Sequence, residues 1–177
     1  MTVLVAVASR HGATREIAEA IARTLAAAGV EAEVDDAEDV TDVSRYDAVV
    51  IGGGVYVGRW LAPARRFVEL HADELALRPT WLFSSGPVGH PPKPEADEAV
   101  QIGELLELTG AREHRLFAGR LDKARLGFGE RAIVRVVGAT DGDFRDWDEI
   151  DAWARAIASE LARRIALPEP LGSAGAR

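Results

Sequence analysis

A short stretch near the start of the chain combines two hydroxyl residues and a glycine with little side-chain bulk. The stretch is Ser9–Thr14, SRHGAT, and it joins the apolar run Val3–Ala8 to a segment with helical spacing. Free backbone N–H groups and a partial positive charge at the start of a helix suit a phosphate. Ser9 and Thr14 could add hydrogen bonds, and Gly12 would let the backbone approach closely. The alternative is that Ser9 or Thr14 only caps the helix.

The same stretch does not match two common nucleotide-binding motifs. It lacks the GxxxxGK[ST] pattern of a P-loop. The glycine cluster of the chain, Gly52–Gly54, lacks the GxGxxG spacing of a dinucleotide fingerprint. A mononucleotide with a phosphate monoester therefore fits better than the ligands of either motif.

Two further loops carry residues that could hold the rest of such a ligand. Gly52–Trp60, GGGVYVGRW, combines glycines with Tyr56 and Trp60, and an aromatic side chain can stack on a flat heterocycle. Trp60 could instead pack as core beneath the following helix. Ser84–His90, SSGPVGH, offers hydroxyls and backbone donors for polar ring edges, although its serine pair could equally form a plain turn. Together the three loops match flavin mononucleotide (FMN) better than a nucleoside triphosphate.

Apolar runs and helical stripes predict the elements that position these loops. Val3–Ala8 is apolar throughout, as in a strand buried on both faces, and strands then alternate with helices. This order predicts an α/β fold with a doubly wound parallel sheet, in which ligands lie beyond the carboxyl ends of the strands. The predicted strands are Val3–Ala8, Val30–Asp35, Ala48–Ile51, Trp81–Phe83 and Arg115–Ala118. The predicted helices contain Ile17–Leu25, Ala64–Leu75, Glu95–Thr109 and Ile150–Leu161, the last after a capping pair, Asp146 and Glu149.

Composition and charge argue against several classes of protein and site. A length of 177 residues fits one domain, predicted over 1–166 with a disordered tail over 167–177. The net charge of −8 argues against a nucleic-acid partner. The chain has no cysteine and its four histidines lack metal-ligand spacing, so no metal site is predicted. We find no signal-peptide pattern and no membrane-span pattern, so the expected location is the cytoplasm.

Several segments of the sequence resemble the flavodoxin family. They are ASRHGATREIAEAIA, VVIGGGVYVGRWLAPARRFVE and WLFSSGPVG, and the similarity extends over Val3–Arg164, including GERAIVRVV and DFRDWDEIDAWA. The branch that looks most similar contains menaquinone-dependent protoporphyrinogen IX dehydrogenase. The resemblance implies a flavodoxin-like, three-layer α/β/α fold with five parallel strands, an insertion after the fifth strand, and noncovalently bound FMN.

The resemblance also implies which residues hold FMN. The phosphate would lie on Ser9–Thr14, and the ring between Gly53–Trp60 and Ser84–Gly89. No side chain is predicted to be catalytic, because the flavin performs the redox chemistry. Arg59 stands where a histidine is common in the family, which leaves the substrate preference open. The implied binding residues are Ser9, Arg10, His11, Gly12, Ala13, Thr14, Gly53, Gly54, Val55, Tyr56, Val57, Gly58, Trp60, Ser84, Ser85, Gly86, Pro87, Val88 and Gly89.

The segment 120–145 is extra to a minimal flavodoxin and mixes arginines with apolar residues. It could be a packed, solvated insertion. It could also be a basic, apolar surface for a quinone, a porphyrinogen's carboxylates or a membrane interface. AIVRVV at 132–137 could be a strand by propensity, and the resemblance favours a helix. The candidate substrate residues are Arg59, His90, Arg120, Lys123, Arg125, Arg131 and Arg135.

Two functions stay open at this point. The first is an FMN-dependent oxidoreductase that oxidises protoporphyrinogen IX or a similar small molecule with a quinone acceptor. The second is a flavodoxin-type carrier that passes electrons between redox proteins, which the acidity of the chain supports. A non-catalytic module without flavin is less attractive, because all three loops are retained. Peripheral membrane contact and a homodimer are further hypotheses about partners.

Overall fold

A parallel β-sheet forms the centre of the fold. The computed structural model describes residues 1–56, 58–86, 102–122, 124, 127 and 141–166. Its strands are β1 (Thr2–Ala8), β2 (Glu31–Asp36), β3 (Ala48–Tyr56), β4 (Arg59–Trp60), β5 (Thr80–Ser85), β6 (His114–Phe117), β7 (Arg120–Leu121) and β8 (Gly142–Asp143). Five of them lie in the order β2-β1-β3-β5-β6, and every neighbouring pair in that order is parallel. The predicted five-stranded, doubly wound sheet is confirmed.

Helices cover both faces of this sheet. They are α1 (Ala13–Ala27), α2 (Ala62–Ala76), α3 (Gly103–Thr109) and α4 (Trp147–Ala166). α1 packs with α4 on one face, and α2 packs with α3 on the other. Successive residues of a strand point to opposite faces of the sheet. Val5 and Val7 therefore pack in the core beneath α1 and α4, while Leu4 and Ala6 pack in the core beneath α2 and α3. The predicted three-layer arrangement is therefore confirmed.

The helical stripes read from the sequence are buried as predicted. Ile150, Trp153, Ile157 and Leu161 of α4 are all at most 3% exposed. The N–H of Glu149 donates to Oδ1 of Asp146 at 3.0 Å, so Asp146 caps α4 as one half of the predicted pair. Within the described part of the chain, no helix has the length and apolar character needed to cross a bilayer.

The glycine run 52–54 is the main difference from the predicted elements. The sequence predicts that the third strand ends at Ile51, but β3 continues through the glycines to Tyr56 and then forms a hairpin with β4. A Cβ atom on Gly52 would overlap the ring of Phe83, and one on Gly53 would overlap the ring of Trp60. Glycine is therefore needed at both positions because an aromatic ring occupies the space that a Cβ atom would take.

Smaller differences concern the ends of other elements. The serines predicted to open the third loop, Ser84 and Ser85, belong to β5. β2 and β6 are each shifted by one residue from the prediction. Of the helix predicted over 95–109, the described part is α3. Residues 95–101, the AIVRVV segment and the predicted tail lie outside the described residues.

Candidate functional site

The carboxyl ends of three strands meet at one edge of the sheet. β1, β3 and β5 are adjacent and parallel, so these ends lie side by side. Ala8 pairs with Gly53, and Gly54 pairs with Ser85, which places the segments after β1 and β5 beside the end of β3. The described parts of the three predicted loops therefore lie at the edge where such sheets bind ligands.

The start of α1 has a glycine N-cap and no side-chain cap among the described residues. Gly12 is the N-cap residue, with φ of 86° and ψ of −16°, and within the described residues no side chain caps the helix. The first helical hydrogen bond runs from the N–H of Glu16 to the carbonyl of Gly12 at 3.0 Å. The N–H groups before Glu16 lie at the positive end of the helix, where they can bind a phosphate. The alternative that Ser9 or Thr14 merely caps this helix is therefore wrong.

Two hydroxyl groups flank this helix start. The Oγ atom of Ser9 is buried and has no hydrogen-bond partner among the described residues. Thr14, in the first turn of α1, is 4% exposed, and its Oγ1 would lie 3.1 Å from a Cβ atom on Gly54. A buried hydroxyl without a partner is unfavourable unless a ligand or water completes it, so Ser9 fits an anion-binding role.

An aromatic ring and a guanidinium group lie together at the same edge. Tyr56, the last residue of β3, is 37% exposed. The guanidinium carbon of Arg10, in the segment after β1, lies 5.4 Å from the centre of the Tyr56 ring, within cation–π range. Arg59 is exposed and is the cross-strand partner of Tyr56 in the β3–β4 hairpin. This edge therefore offers a flat face and positive charge beside the start of α1.

Trp60 and Ser84 lie in the core rather than at an open binding surface. Trp60 is 2% exposed, and its Nε1–H donates to Oγ of Ser84 at 2.7 Å. Ser84 is fully buried, and its Oγ also lies 2.8 Å from Nε2 of His114 in β6. Of the two interpretations of Trp60, the structure favours the core residue over the ring that stacks on a ligand. No pattern in the sequence indicates that His114 contacts Ser84 in the core.

The other predicted binding residues fall into two groups. His11, Gly12 and Ala13 lie around the start of α1, while Gly54, Val55, Ser85 and Gly86 lie along the ends of β3 and β5, and Gly58 directly precedes β4. Gly58 and Gly86 have positive φ, at 72° and 111°. Val57, Pro87, Val88, Gly89, His90, Lys123, Arg125, Arg131 and Arg135 lie outside the described residues.

An ion-pair cluster contacts the first turn of α1, and it was not predicted from the sequence. Arg145 has a side chain only 2% exposed, and it binds Asp143 through Nε at 2.7 Å and Nη2 at 2.5 Å. Its Nη1 donates to Glu16 at 2.7 Å and to the carbonyl of Ala13 at 3.3 Å. Arg120, predicted as a substrate residue, binds both carboxylate oxygens of Glu16, at 3.0 and 2.9 Å. Arg145 and Glu16 are too distant in sequence for spacing to reveal this cluster.

The cluster shifts the pKa values of both of its carboxyl groups downward. Burial by itself would raise the pKa of Glu16, but the hydrogen bonds and charges of Arg145 and Arg120 hold it below its usual range. The hydrogen bond from Arg145 is the main reason that the pKa of Asp143 is also lowered, against a smaller opposing effect of burial. Both groups therefore stay ionised to a lower pH than an ordinary carboxyl group would.

These shifts predict a pH dependence of stability. A lowered folded-state pKa adds stability that is complete above the ordinary values of 4.5 for Glu16 and 3.8 for Asp143 and is lost as pH falls through the lowered pKa. Since Glu16 is partly exposed, solvent screening reduces its share to about 1 kcal/mol or less. Urea unfolding at pH 7, 5, 4 and 3 should show a shallower acid loss in Arg145→Gln than in wild type. Equal losses would contradict the assignment.

A family model and a curated relative match almost the whole chain. The model of the family described as "Flavodoxin domain" matches residues 4–148. Protoporphyrinogen IX dehydrogenase (quinone) from Escherichia coli strain K12 is 27% identical over 172 residues, which cover 89% of this chain and 95% of that protein. The matched region includes the start of α1, the β3–β4 hairpin and the Glu16–Arg145 cluster.

Solved structures share the fold at low sequence identity. A flavodoxin from the domain Archaea superposes with a TM-score of 0.60 at 18% identity, covering 92% of this chain and 99% of its own. Rubredoxin oxygen:oxidoreductase from Desulfovibrio gigas has a TM-score of 0.63 at 13% identity, covering 94% of this chain but only 37% of its own. These matches confirm the flavodoxin-like fold of the described sheet and helices.

Proposed function

The chain belongs to the flavodoxin-domain family, and on that premise we propose that it is an FMN-binding oxidoreductase. The observation that carries the proposal is the uncapped start of α1, where the buried Ser9 hydroxyl has no partner among the described residues. The exposed ring of Tyr56 lies at the same edge of the sheet. A phosphate-bearing ligand with a flat ring uses both features, whereas a simple helix cap would use neither.

The residues at this edge would divide the work of holding FMN. Backbone N–H groups at the start of α1 and the hydroxyls of Ser9 and Thr14 would bind the phosphate. Tyr56 would provide a face for the ring, with Arg10 nearby as a positive charge. FMN, when bound, supplies the electron transfer, so the protein's part is to bind it, orient it and limit access to it. We assign no catalytic side chain.

The proposed substrate is protoporphyrinogen IX or a similar reduced tetrapyrrole, with a quinone as the electron acceptor. The name of the curated relative supports this choice, because that protein covers nearly the same length. Arg59 is the proposed contact to that substrate, since an exposed arginine beside Tyr56 can make paired hydrogen bonds with a carboxylate. Arg120 is assigned to the cluster around Glu16 rather than to the substrate.

An electron carrier is the second candidate. The net charge of −8 favours it, because carriers often dock on basic partners through complementary charge. The two functions predict different reactants. The enzyme should oxidise the porphyrinogen and reduce a quinone without a protein partner, while the carrier should exchange electrons rapidly with a flavodoxin reductase and leave the porphyrinogen unchanged.

The first experiment is a titration of the purified apoprotein with FMN, followed by flavin fluorescence and visible absorbance. We expect saturation at about one FMN per chain and tighter binding of FMN than of riboflavin, which lacks the phosphate. Absence of saturable FMN binding would overturn the proposal. The loaded protein is then mixed anaerobically with protoporphyrinogen IX and a menaquinone analogue. Binding without turnover would leave the FMN assignment intact and favour the carrier.

A further inference from the structure

We propose that Arg145 is a positioning residue that sets how strongly the start of α1 attracts a phosphate. It does so by neutralising Glu16 and by holding the first turn of the helix through the carbonyl of Ala13. The inference deepens the proposed function and rests on it. Arg145 does not itself bind the ligand in this proposal.

Arg145 is buried where it can act on the first turn of α1. Its guanidinium group bonds to the carbonyl of Ala13 and the carboxylate of Glu16, both within that turn. On its other side, Asp143 accepts two hydrogen bonds from it, which fixes the orientation of the planar group. The centre of the Trp147 ring lies 4.4 Å from the guanidinium carbon of Arg145. These contacts hold the guanidinium group beside the first turn of α1.

The charges of the cluster balance. Glu16 and Asp143 contribute two negative charges, while Arg120 and Arg145 contribute two positive charges. The neighbouring Arg15 forms ion pairs with Asp36 and Glu19. Among the described residues, no ion pair joins Arg15 to Glu16. Glu16 therefore depends on Arg120 and Arg145 for its neutralisation. Without Arg145 the cluster would carry a net negative charge beside the site of an anionic ligand.

This balance makes two substitutions act in opposite directions on phosphate binding. Arg145→Gln leaves a net negative charge that repels a phosphate, whereas Glu16→Gln leaves a net positive charge that attracts one. Both substitutions remove ion pairs, so both should lower the melting temperature. A merely structural role would weaken binding in both variants, while the electrostatic role predicts opposite signs.

The test measures the phosphate preference, defined as the Kd for riboflavin divided by the Kd for FMN. We expect Arg145→Gln to lower this ratio about tenfold and Glu16→Gln to raise it about fivefold, in low-salt buffer at pH 7. The effects should shrink at high salt because added ions screen the charges. Arg145→Lys keeps the positive charge but lacks the planar guanidinium group with its several N–H donors. It should therefore keep most of the phosphate preference while lowering the stability of the fold.

Arg78→Gln is the matched structural control. Arg78 has a side chain 18% exposed, and it binds the carbonyls of Glu74 and Tyr46, after the C-terminal end of α2 and away from α1. Its replacement should lower the melting temperature without changing the phosphate preference. If Arg145→Gln does not fold, Glu16→Gln and Arg145→Lys still decide the question.

The outcomes separate this inference from the proposed function. If wild type does not bind FMN, both the function and the role of Arg145 are overturned. If wild type prefers FMN over riboflavin but Glu16→Gln fails to raise the ratio, or lowers it, only the role of Arg145 is overturned. A ratio that rises in Glu16→Gln, falls in Arg145→Gln and is kept in Arg145→Lys supports it.

Discussion

Replacing Gly12 by valine is expected to weaken FMN binding by at least about 100-fold. Gly12 has φ of 86°, a region that a β-branched residue enters only at about 1–3 kcal/mol of strain. Apart from its chain neighbours, no described residue has an atom within 4 Å of a Cβ built on Gly12, so the new side chain would project into the space proposed for the phosphate. The measurement is an FMN titration of the variant apoprotein followed by flavin fluorescence.

Gly29→Val is the matched control for this prediction. Gly29 follows the C-terminal end of the same helix and has φ of 84°, and among the described residues beyond its chain neighbours no atom lies within 4 Å of an added Cβ. Both substitutions place a β-branched residue at a positive φ, so both variants should unfold at lower urea concentrations than wild type. Only Gly12→Val should lose FMN. Equal binding by the two variants would show that the start of α1 does not receive the phosphate.

Gly53→Ala is expected to destabilise the fold by about 3 kcal/mol, which is large for one added methyl group. The methyl would overlap the ring of Trp60, which is 2% exposed and held by its hydrogen bond to Ser84. Neither the ring nor the strand can move without breaking contacts in the core. Urea unfolding at pH 7, with the slope checked for change, gives the difference in the free energy of unfolding.

Two further variants test the cause of that loss. Gly103→Ala adds the same methyl group at the start of α3, where no described residue outside its own helix turn and chain neighbours has an atom within 4 Å, so it should be neutral or stabilising by up to about 1 kcal/mol. In a Trp60→Ala background the added cost of Gly53→Ala should fall sharply, because the clashing ring is gone. An undiminished cost in that background would contradict the packing explanation.

Regular apolar patterns allowed most of the described fold to be predicted. The run Val3–Ala8 of β1 is apolar at every position and is buried on both faces, and the stripe from Ile150 to Leu161 is buried along α4. Such patterns depend only on neighbours in sequence. The glycine run is different, because its role depends on where the rings of Phe83 and Trp60 pack in the folded protein. From the sequence alone the run was predicted to be a loop.

The candidate site could be predicted in part for the same reason. The hydroxyls and glycine of Ser9–Thr14 are contiguous, so their position before a helix could be read directly. Trp60 was placed among the ligand-binding residues as well as considered as core, because an aromatic residue after glycines suits either role. Arg145 and Glu16 are paired only because α1, β8 and the start of α4 meet in three dimensions. No local pattern encodes that meeting.

The hydrogen bonds that join Trp60, Ser84 and His114 tie three strands together beneath the edge that carries Tyr56. β3, which carries Tyr56, pairs with two of these strands, so the proposed ring-binding face is held in place before FMN binds. We infer that FMN should bind in one kinetic phase whose observed rate constant rises linearly with FMN concentration.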